Sequence, residues 1–331
     1  MRTEELQTPA LLVDAGALQH NLDTMAASLP GARLRPHVKA HKCSALARLQ
    51  AGAGHTGFTC ATIREVEVLA AAGLGKDLLL ANEVADARRL GKVVDAGNRV
   101  TLAVDSEATI DAAAAGGVRE IVIDVNVGLP RCGCPPALAG ELATRARARG
   151  LVVRGVMGYE GHVVGREDRG ERARMVEECM ARLLEAHGAV GGELVTAGGT
   201  GTYDLNTWAT EIQAGSYALM DTAYGKLGLP FRQALLVEAT VISVSPGWAV
   251  ADAGLKAFGM DHGNPGLAGG GQVLFCSDEH VTFVASGAVR VGERVRLHPA
   301  HVDPTVAYHE AMHLVDGAEV RATWPVDMRG W

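Results

Sequence analysis

The chain reads as an α/β protein: a TIM-type (β/α)8 barrel over roughly residues 1–235, followed by a C-terminal β domain over 236–331. Three observations carry this expectation. Short, near-continuous apolar runs alternate with alanine-rich helical stretches, the pattern left by parallel strands buried on both faces. Several helical windows stop at a glycine, at Gly52, Gly73, Gly97 and Gly150, as left-handed C-caps do. Beyond residue 235 strand-like segments follow one another without helices, and the Asp316-Gly317 pair marks a hairpin.

In order, the expected barrel strands are Leu11–Asp14, Arg33–Lys39, Gly57–Ala61, Asp77–Ala81, Val100–Asp105, Glu120–Val127, Leu151–Tyr159, Glu193–Ala197 and Glu211–Met220. Helical windows at Ser44–Ala53, Ile63–Ala72, Ala85–Ala96 and Arg169–His187 lie between them. Eight or nine such alternations make a barrel, with an open doubly wound sheet as the alternative. The β domain is read from Leu235–Ser245, Ala249–Asp252, Gln272–Cys276, Val281–Ala285, Arg294–His298 and Met312–Trp324, and Leu11–Asp14 could join either part.

Composition narrows the function. Among 331 residues, 48% are hydrophobic and the 41 glycines follow no three-residue period, which excludes disorder and collagen. The net charge of −7 gives no general attraction to nucleic acid or an anionic membrane. No run of about 18 apolar residues suggests a transmembrane helix. The opening Met1-Arg2-Thr3-Glu4-Glu5 is acidic, unlike a signal peptide. Six cysteines without a regular framework read as free thiols in a reducing cytoplasm.

Five segments could carry chemistry. In Arg35-Pro36-His37-Val38-Lys39-Ala40-His41-Lys42-Cys43, alternation places Arg35, His37 and Lys39 on one face of a strand. Like charge from Arg35, His41 and Lys42 would disfavour the Lys39 ammonium and make it a better Schiff-base nucleophile. A solvated basic turn is the alternative. Gly198-Gly199-Thr200-Gly201-Thr202 and Gln213-Ala214-Gly215-Ser216-Tyr217 fall after late strands, where barrels often bind phosphate; ordinary tight turns explain them equally. Arg131, in Gly128–Cys134, sits at a strand end where it could hold a carboxylate, a phosphate or a cofactor ring nitrogen, or make a surface ion pair. Cys132 and Cys134 lack the second pair a zinc site needs.

Gly158-Tyr159-Glu160-Gly161-His162 offers a tyrosine and a histidine where a general base would stand, against a purely structural histidine. Near the C-terminus, His301 and Asp303 would share one face of an extended segment and could hold one divalent ion. The neighbouring His309-Glu310-Ala311-Met312-His313 matches the metalloprotease pattern H-E-x-x-H, which requires a helix. The Asp316-Gly317 hairpin makes Met312–Val315 strand instead, which separates the two histidines.

Together these blocks resemble the D-threonine aldolase and D-serine dehydratase group of alanine-racemase-like enzymes. The resemblance spans nearly the whole chain, from Thr8–Asp14 to Met328–Gly330. Its most specific parts are Arg35–Cys43, Gly128–Gly133, Gly198–Thr202, Gln213–Asp221, Asp252–Lys256 and Pro299–Val306.

The resemblance implies pyridoxal 5'-phosphate (PLP) as cofactor, with Lys39 as the lysine joined to its aldehyde and Arg131 facing the pyridine nitrogen. It implies phosphate held around Thr200, Gly201, Thr202, Gly215 and Ser216, with Tyr217 and Tyr159 in the pocket. His301 and Asp303 would bind a divalent metal, Mn²⁺ first, with Zn²⁺ or Mg²⁺ as alternatives. Dehydratase-like members tend to carry cysteine where this chain has Asp303, which leans the reading to an aldolase. The implied reaction is retro-aldol cleavage of a β-hydroxy D-amino acid to glycine and an aldehyde. In it the metal is a Lewis acid at the β-hydroxyl, His162 or a water it orients takes the hydroxyl proton, and PLP delocalises the carbanion.

The alternatives on the same scaffold are a D-serine or β-hydroxyaspartate dehydratase and a D-3-hydroxyaspartate aldolase. Further away stand a non-catalytic PLP carrier, which needs no β domain, and the metalloprotease. The partner is then a small amino-acid substrate, with neither nucleic acid nor membrane, and the resemblance implies a homodimer.

Overall fold

The computed structural model describes residues 1–331. Strand β1 (Ala10–Asp14) and helix α1 (Ala15–Ser28) open the chain, and α2 (Ser44–Gly52) precedes a strict alternation. It runs β2 (Phe58–Cys60), α3 (Ile63–Ala71), β3 (Leu78–Leu80), α4 (Arg88–Asp95), β4 (Val100–Val104), α5 (Glu107–Ala115) and β5 (Glu120–Asp124). It continues through α6 (Ala139–Ala148), β6 (Val152–Gly158), α7 (Arg169–Val190), β7 (Leu194–Ala197) and β8 (Glu211–Ile212). After α8 (Thr222–Gly225) come β9 (Leu235–Ser245), β10 (Trp248–Ala251), β11 (Gly266–Leu267), β12 (Gly271–Cys276), β13 (Val281–Ala285) and β14 (Arg294–His298). Helix α9 (Val302–Tyr308) and the hairpin β15 (Ala311–Asp316)–β16 (Glu319–Pro325) close the chain.

Two compact units result, and they interleave along the sequence instead of dividing at residue 235. One comprises residues 25–39, 46–215 and 328–331, the other 1–24, 40–45 and 216–327.

The first unit is the barrel. Strands β2 to β8 form one parallel sheet in chain order. The extended stretch 34–37 bridges both edges of that sheet, Leu34 to Ile212 and His37 to Thr59, so it supplies the closing strand expected at Arg33–Lys39. The apolar runs are buried apart from Val152 at the start of β6, and one layer of side chains (Leu79, Ala103, Val122, Met157 and Leu194) packs as a core cluster across β3 to β7. The last expected strand is much shorter than Glu211–Met220: it ends at Ile212, and residues 216–218 form a 3-10 turn. Its apolar residues are buried by packing, which a run of hydrophobics cannot distinguish from strand pairing.

Charged groups occupy the other end of this barrel. Arg35 Nε donates to Glu211 at 2.7 Å and its Nη2 to Asp77 at 2.8 Å. Arg154 Nη1 reaches the other Asp77 oxygen at 2.8 Å and Thr101 Oγ1 at 2.8 Å, while its Nε meets Glu193 at 2.8 Å. Asp77, Thr101, Glu193 and Glu211 all stand at or next to the N-terminal ends of their strands. Arg35 is therefore not part of a basic cluster around Lys39: its charge is neutralised by Glu211 and Asp77.

In the second unit β1 lies between β9, antiparallel, and β15, parallel, so Leu11–Asp14 belongs to the β domain sheet. That sheet has nine strands. The expected hairpin is present, with Asp316 paired to Glu319.

Asp77 sets a testable stability. Burial alone would raise its carboxyl, but hydrogen bonds from Arg154 and Arg35 outweigh burial and bring it down to about 2. Stability from this carboxylate is thus present above its ordinary value of 3.8 and is lost as pH falls toward 2. Asp77→Ala leaves two buried guanidiniums without their shared partner and is expected to cost about 3–5 kcal/mol in urea unfolding at pH 7. Below pH 4 the gap between parent and variant should narrow.

Candidate active site

Barrel enzymes assemble their sites at the C-terminal ends of the strands, and the expected cofactor residues of the barrel unit stand there. Lys39 follows the closing strand in a 3-10 turn (Val38–Ala40), Tyr159 follows β6 directly, and Arg131 lies in the loop after β5. The side chains converge: Lys39 Nζ lies 6.0 Å and the Arg131 guanidinium 5.4 Å from the centre of the Tyr159 ring. A primary amine, a guanidinium and an aromatic face in one place suit an aldehyde-bearing, anionic, aromatic cofactor.

Next to Arg131 is an acidic group that sequence reading missed. Burial raises the Asp124 carboxyl well above the ordinary range, the charge of Glu83 adds to this, and Arg131 opposes it. Burial also pushes the thiols of Cys132 and Cys134 up, to about 11 and about 12, so both are protonated at neutral pH.

The glycine loop after β7 is shaped by Glu160, a second residue not foreseen. Its buried carboxylate accepts from the Gly198 amide at 3.2 Å and the Thr202 hydroxyl at 2.8 Å. The Thr202 hydroxyl in turn accepts from the Gly199 amide at 3.1 Å. Thr202 thus holds the loop in shape, while the Gly201 amide takes no part in these bonds. A side chain at position 201 would stand 1.9 Å from the Val164 carbonyl oxygen, and one at 215 would stand 2.4 Å from that of His37. Only glycine permits either approach, and the second seats Gly215 two residues from Lys39. Thr200 is buried in the same loop. The only sequence signal for Glu160 was an acid beside Tyr159 at the end of an otherwise apolar strand.

His162 is placed differently. Its ring packs against Gly128, and its Nε2 is 3.8 Å from Cys179 Sγ on α7. Burial, followed by the charges of Arg182 and Arg166, lowers its pKa, which keeps the imidazole neutral and able to accept a proton. The structure brings Lys39, Tyr159 and Arg131 together; His162 is directed to α7.

The β unit holds the remaining candidates. Ser216 and Tyr217 are buried in the 3-10 turn Ser216–Ala218, and Tyr217 meets Phe231 with ring centroids 5.7 Å apart. His301 is the N-cap of α9 and Asp303 lies in its first turn, so the extended segment expected for this pair is corrected to a helix start. They are still neighbours, with His301 Nε2 3.8 Å from Asp303 Oδ2. Two donors sharing one ion at about 2.0–2.2 Å each can be at most about 4.4 Å apart, so the pair fits a divalent metal.

Asp221 holds the start of that helix: its carboxylate accepts from the Val302 amide at 3.0 Å and from the Tyr224 amide at 2.9 Å. The H-E-x-x-H histidines go separate ways. His309 Nε2 is 3.0 Å from the Ala257 carbonyl, and His313, on β15, pairs with Thr323 at 3.0 Å.

Residues 13–223 match the family described as "Alanine racemase, N-terminal domain", and residues 234–315 match a serine dehydratase domain. The chain belongs to this alanine racemase family. It is 34% identical to a 3-hydroxy-D-aspartate aldolase of Paracoccus denitrificans (strain Pd 1222), over 100% of this chain and 94% of that one. The solved structure of D-threonine aldolase from Filomicrobium marinum superposes with a TM-score of 0.90 at 33% identity, covering 99% of this chain and 97% of that one. D-threo-3-hydroxyaspartate dehydratase from Delftia sp. HT23 gives a TM-score of 0.90 at 26% identity, with 100% of both chains covered. No helix is long and apolar enough to cross a membrane.

Glu160 yields a pH prediction. Burial raises its carboxyl above the ordinary 4.5, against hydrogen bonds from Thr202 and the Gly198 amide that lower it. The folded state therefore favours the proton, and stability is lost as pH rises through the raised value. Glu160→Gln should flatten that fall above pH 4.5 in denaturant unfolding curves. Glu160→Ala, which orphans the buried Thr202 hydroxyl and Gly198 amide, should cost about 1–3 kcal/mol at every pH.

Proposed function

We propose that this protein is a PLP- and divalent-metal-dependent lyase that cleaves β-hydroxy D-amino acids of the D-threonine type to glycine and an aldehyde. The observation that carries the reading is the convergence of Lys39 and Arg131 on the Tyr159 ring, 6.0 and 5.4 Å from its centre. Bound PLP supplies an electron sink for the carbanion left at Cα, and a bound divalent ion supplies a Lewis acid for the β-hydroxyl.

Within the barrel unit, the Lys39 amine holds the cofactor aldehyde and Arg131 faces the cofactor ring. Tyr159 provides an aromatic face between them. The Gly201 amide, Thr200 and Gly215 bind phosphate, with Thr202 and Glu160 keeping the loop in register. Ser216 and Tyr217, the next residues along the chain, complete the cofactor set. In the β unit His301 and Asp303 hold the metal, Mn²⁺ first. His162, neutral at physiological pH, is the candidate to take the hydroxyl proton directly or through a water. The substrate is a free amino acid, and the protein works in the cytoplasm as a homodimer; the six free cysteines fit a reducing compartment.

The purified protein incubated with D-threonine, PLP and Mn²⁺ should release glycine and acetaldehyde, and a chelator should stop the release. Formation of a 2-oxo acid and ammonia from the same substrate or from D-threo-3-hydroxyaspartate would replace the aldolase reading by the dehydratase one. Lys39→Ala should abolish both turnover and the visible absorption of bound PLP; a chromophore surviving that change would remove Lys39 from its role. His162→Ala should lower kcat by about 10²–10⁴-fold if it is the base, and a loss smaller than this would assign the proton to another group.

A further inference from the structure

Beside the His301–Asp303 pair the β unit carries two residues the proposed reaction leaves unexplained. Ligand atoms of Asp261, His262 and His301 all lie within 4.8 Å of one another. The two ring nitrogens of His301 face two different carboxylates, at two different distances. Nδ1 stands 2.7 Å from Asp261 Oδ2, and Nε2 stands 3.8 Å from Asp303 Oδ2.

These distances call for different chemistry. At 2.7 Å a proton lies between the partners, as in a charge-assisted hydrogen bond. An ion at about 2.0–2.2 Å from each donor usually spreads a ligand pair to about 3 Å or more, which the Asp303 side satisfies and the Asp261 side does not. His262 adds a second restraint. Its ring stacks on that of His301 with centroids 4.0 Å apart and planes 10° from parallel.

The loop bearing Asp261 is itself tied to α9. A side chain at Gly259 would stand 2.2 Å from Pro304 Cγ, so that glycine lets the loop lie directly on the first helical turn. The Gly259 amide donates to Thr305 Oγ1 at 2.9 Å, and the Thr305 hydroxyl donates to the His301 carbonyl at 2.7 Å. The helix that presents His301 and Asp303 thus also anchors the loop that brings Asp261 to them.

We propose that Asp261 is a positioning residue for the metal centre: it accepts the Nδ1 proton of His301 and so directs the Nε2 lone pair to the ion shared with Asp303. A carboxylate behind a ligating imidazole fixes its tautomer and ring orientation and raises its basicity. His262 steadies the ring face and is not a ligand. The inference rests on the reading of His301 and Asp303 as metal ligands.

Mn²⁺ titrations of the purified protein by calorimetry, with Co²⁺ absorption spectra as a second readout, test both levels separately. The parent should bind Mn²⁺ and His301→Ala should not. Asp261→Ala should weaken binding by about 10–100-fold and shift the Co²⁺ bands, while Asp261→Asn, whose amide oxygen still accepts a hydrogen bond, should recover part of the loss. The Asp261 side chain is 55% exposed, so the melting temperature of the metal-free protein should not move. Parent-like Mn²⁺ affinity in Asp261→Ala would overturn the proposal while leaving the metal site intact. Loss of binding in His262→Ala as complete as in His301→Ala would overturn it in favour of a three-ligand centre at Asp261, His262 and His301. A parent that binds no Mn²⁺ would remove the metal reading and this inference with it.

Discussion

A guanidinium buried without a partner loses several kcal/mol of hydration that nothing returns, and the barrel unit buries two of them side by side. Arg35 and Arg154 share the Asp77 carboxylate, and Glu211 and Glu193 neutralise what remains. Each group is tolerable only where the others stand, so the network aligns the starts of the closing strand, β3, β6 and β8. That alignment reaches the opposite end of the barrel. Lys39 follows Arg35 by four residues and Tyr159 follows Arg154 by five, so pinning the two strand starts also sets where the amine and the ring emerge. The Lys39 amine then stands 6.0 Å from the centre of the Tyr159 ring.

At the mouth the electrostatics are arranged differently. Glu160 is buried with neutral donors, among them the Gly198 amide, the Thr202 hydroxyl and the Asn206 side chain, and no cation compensates it in that loop. A carboxyl in such surroundings retains its proton more readily, and it ties the glycine loop to the residue next to Tyr159. Asp124, raised by burial and by Glu83, gives the neighbourhood of Arg131 a similar character. Charge is cancelled in the network that aligns the strands, and suppressed around the residues that would hold the cofactor.

The β unit builds its candidate metal pair on a helix start instead of a strand. Asp221 receives the amides that open α8 and α9, and Thr305 joins α9 to the loop at Gly259. The two side chains are therefore presented by a framework of side chain-to-backbone hydrogen bonds. That framework in turn rests on a sheet in which β1, from the start of the chain, is paired with β15, near its end.

Much of this was legible in the residues alone. The barrel alternation, the hairpin at Asp316-Gly317, the lysine after the closing strand, the glycine turn after β7 and the His301–Asp303 pair are all local signals. They record whether a short stretch is apolar, flexible or reactive, and neighbours in sequence suffice to show it. Arg35 was misread as a neighbour of the Lys39 charge because strand alternation gives the face of a side chain and not its partner. Residues 213–220 were misread as strand because burial by packing and burial by pairing leave the same apolar run. Glu160 left only the trace of an acid at the end of an apolar strand, and Asp261 and the interleaving of the two units left none, since each depends on groups tens to hundreds of residues away. Local pattern was enough for the class of fold and the chemical types at the site. Which carboxylate meets which cation, and which nitrogen of His301 meets Asp261, was settled by long-range packing, because those energies exist only once distant segments share a desolvated space.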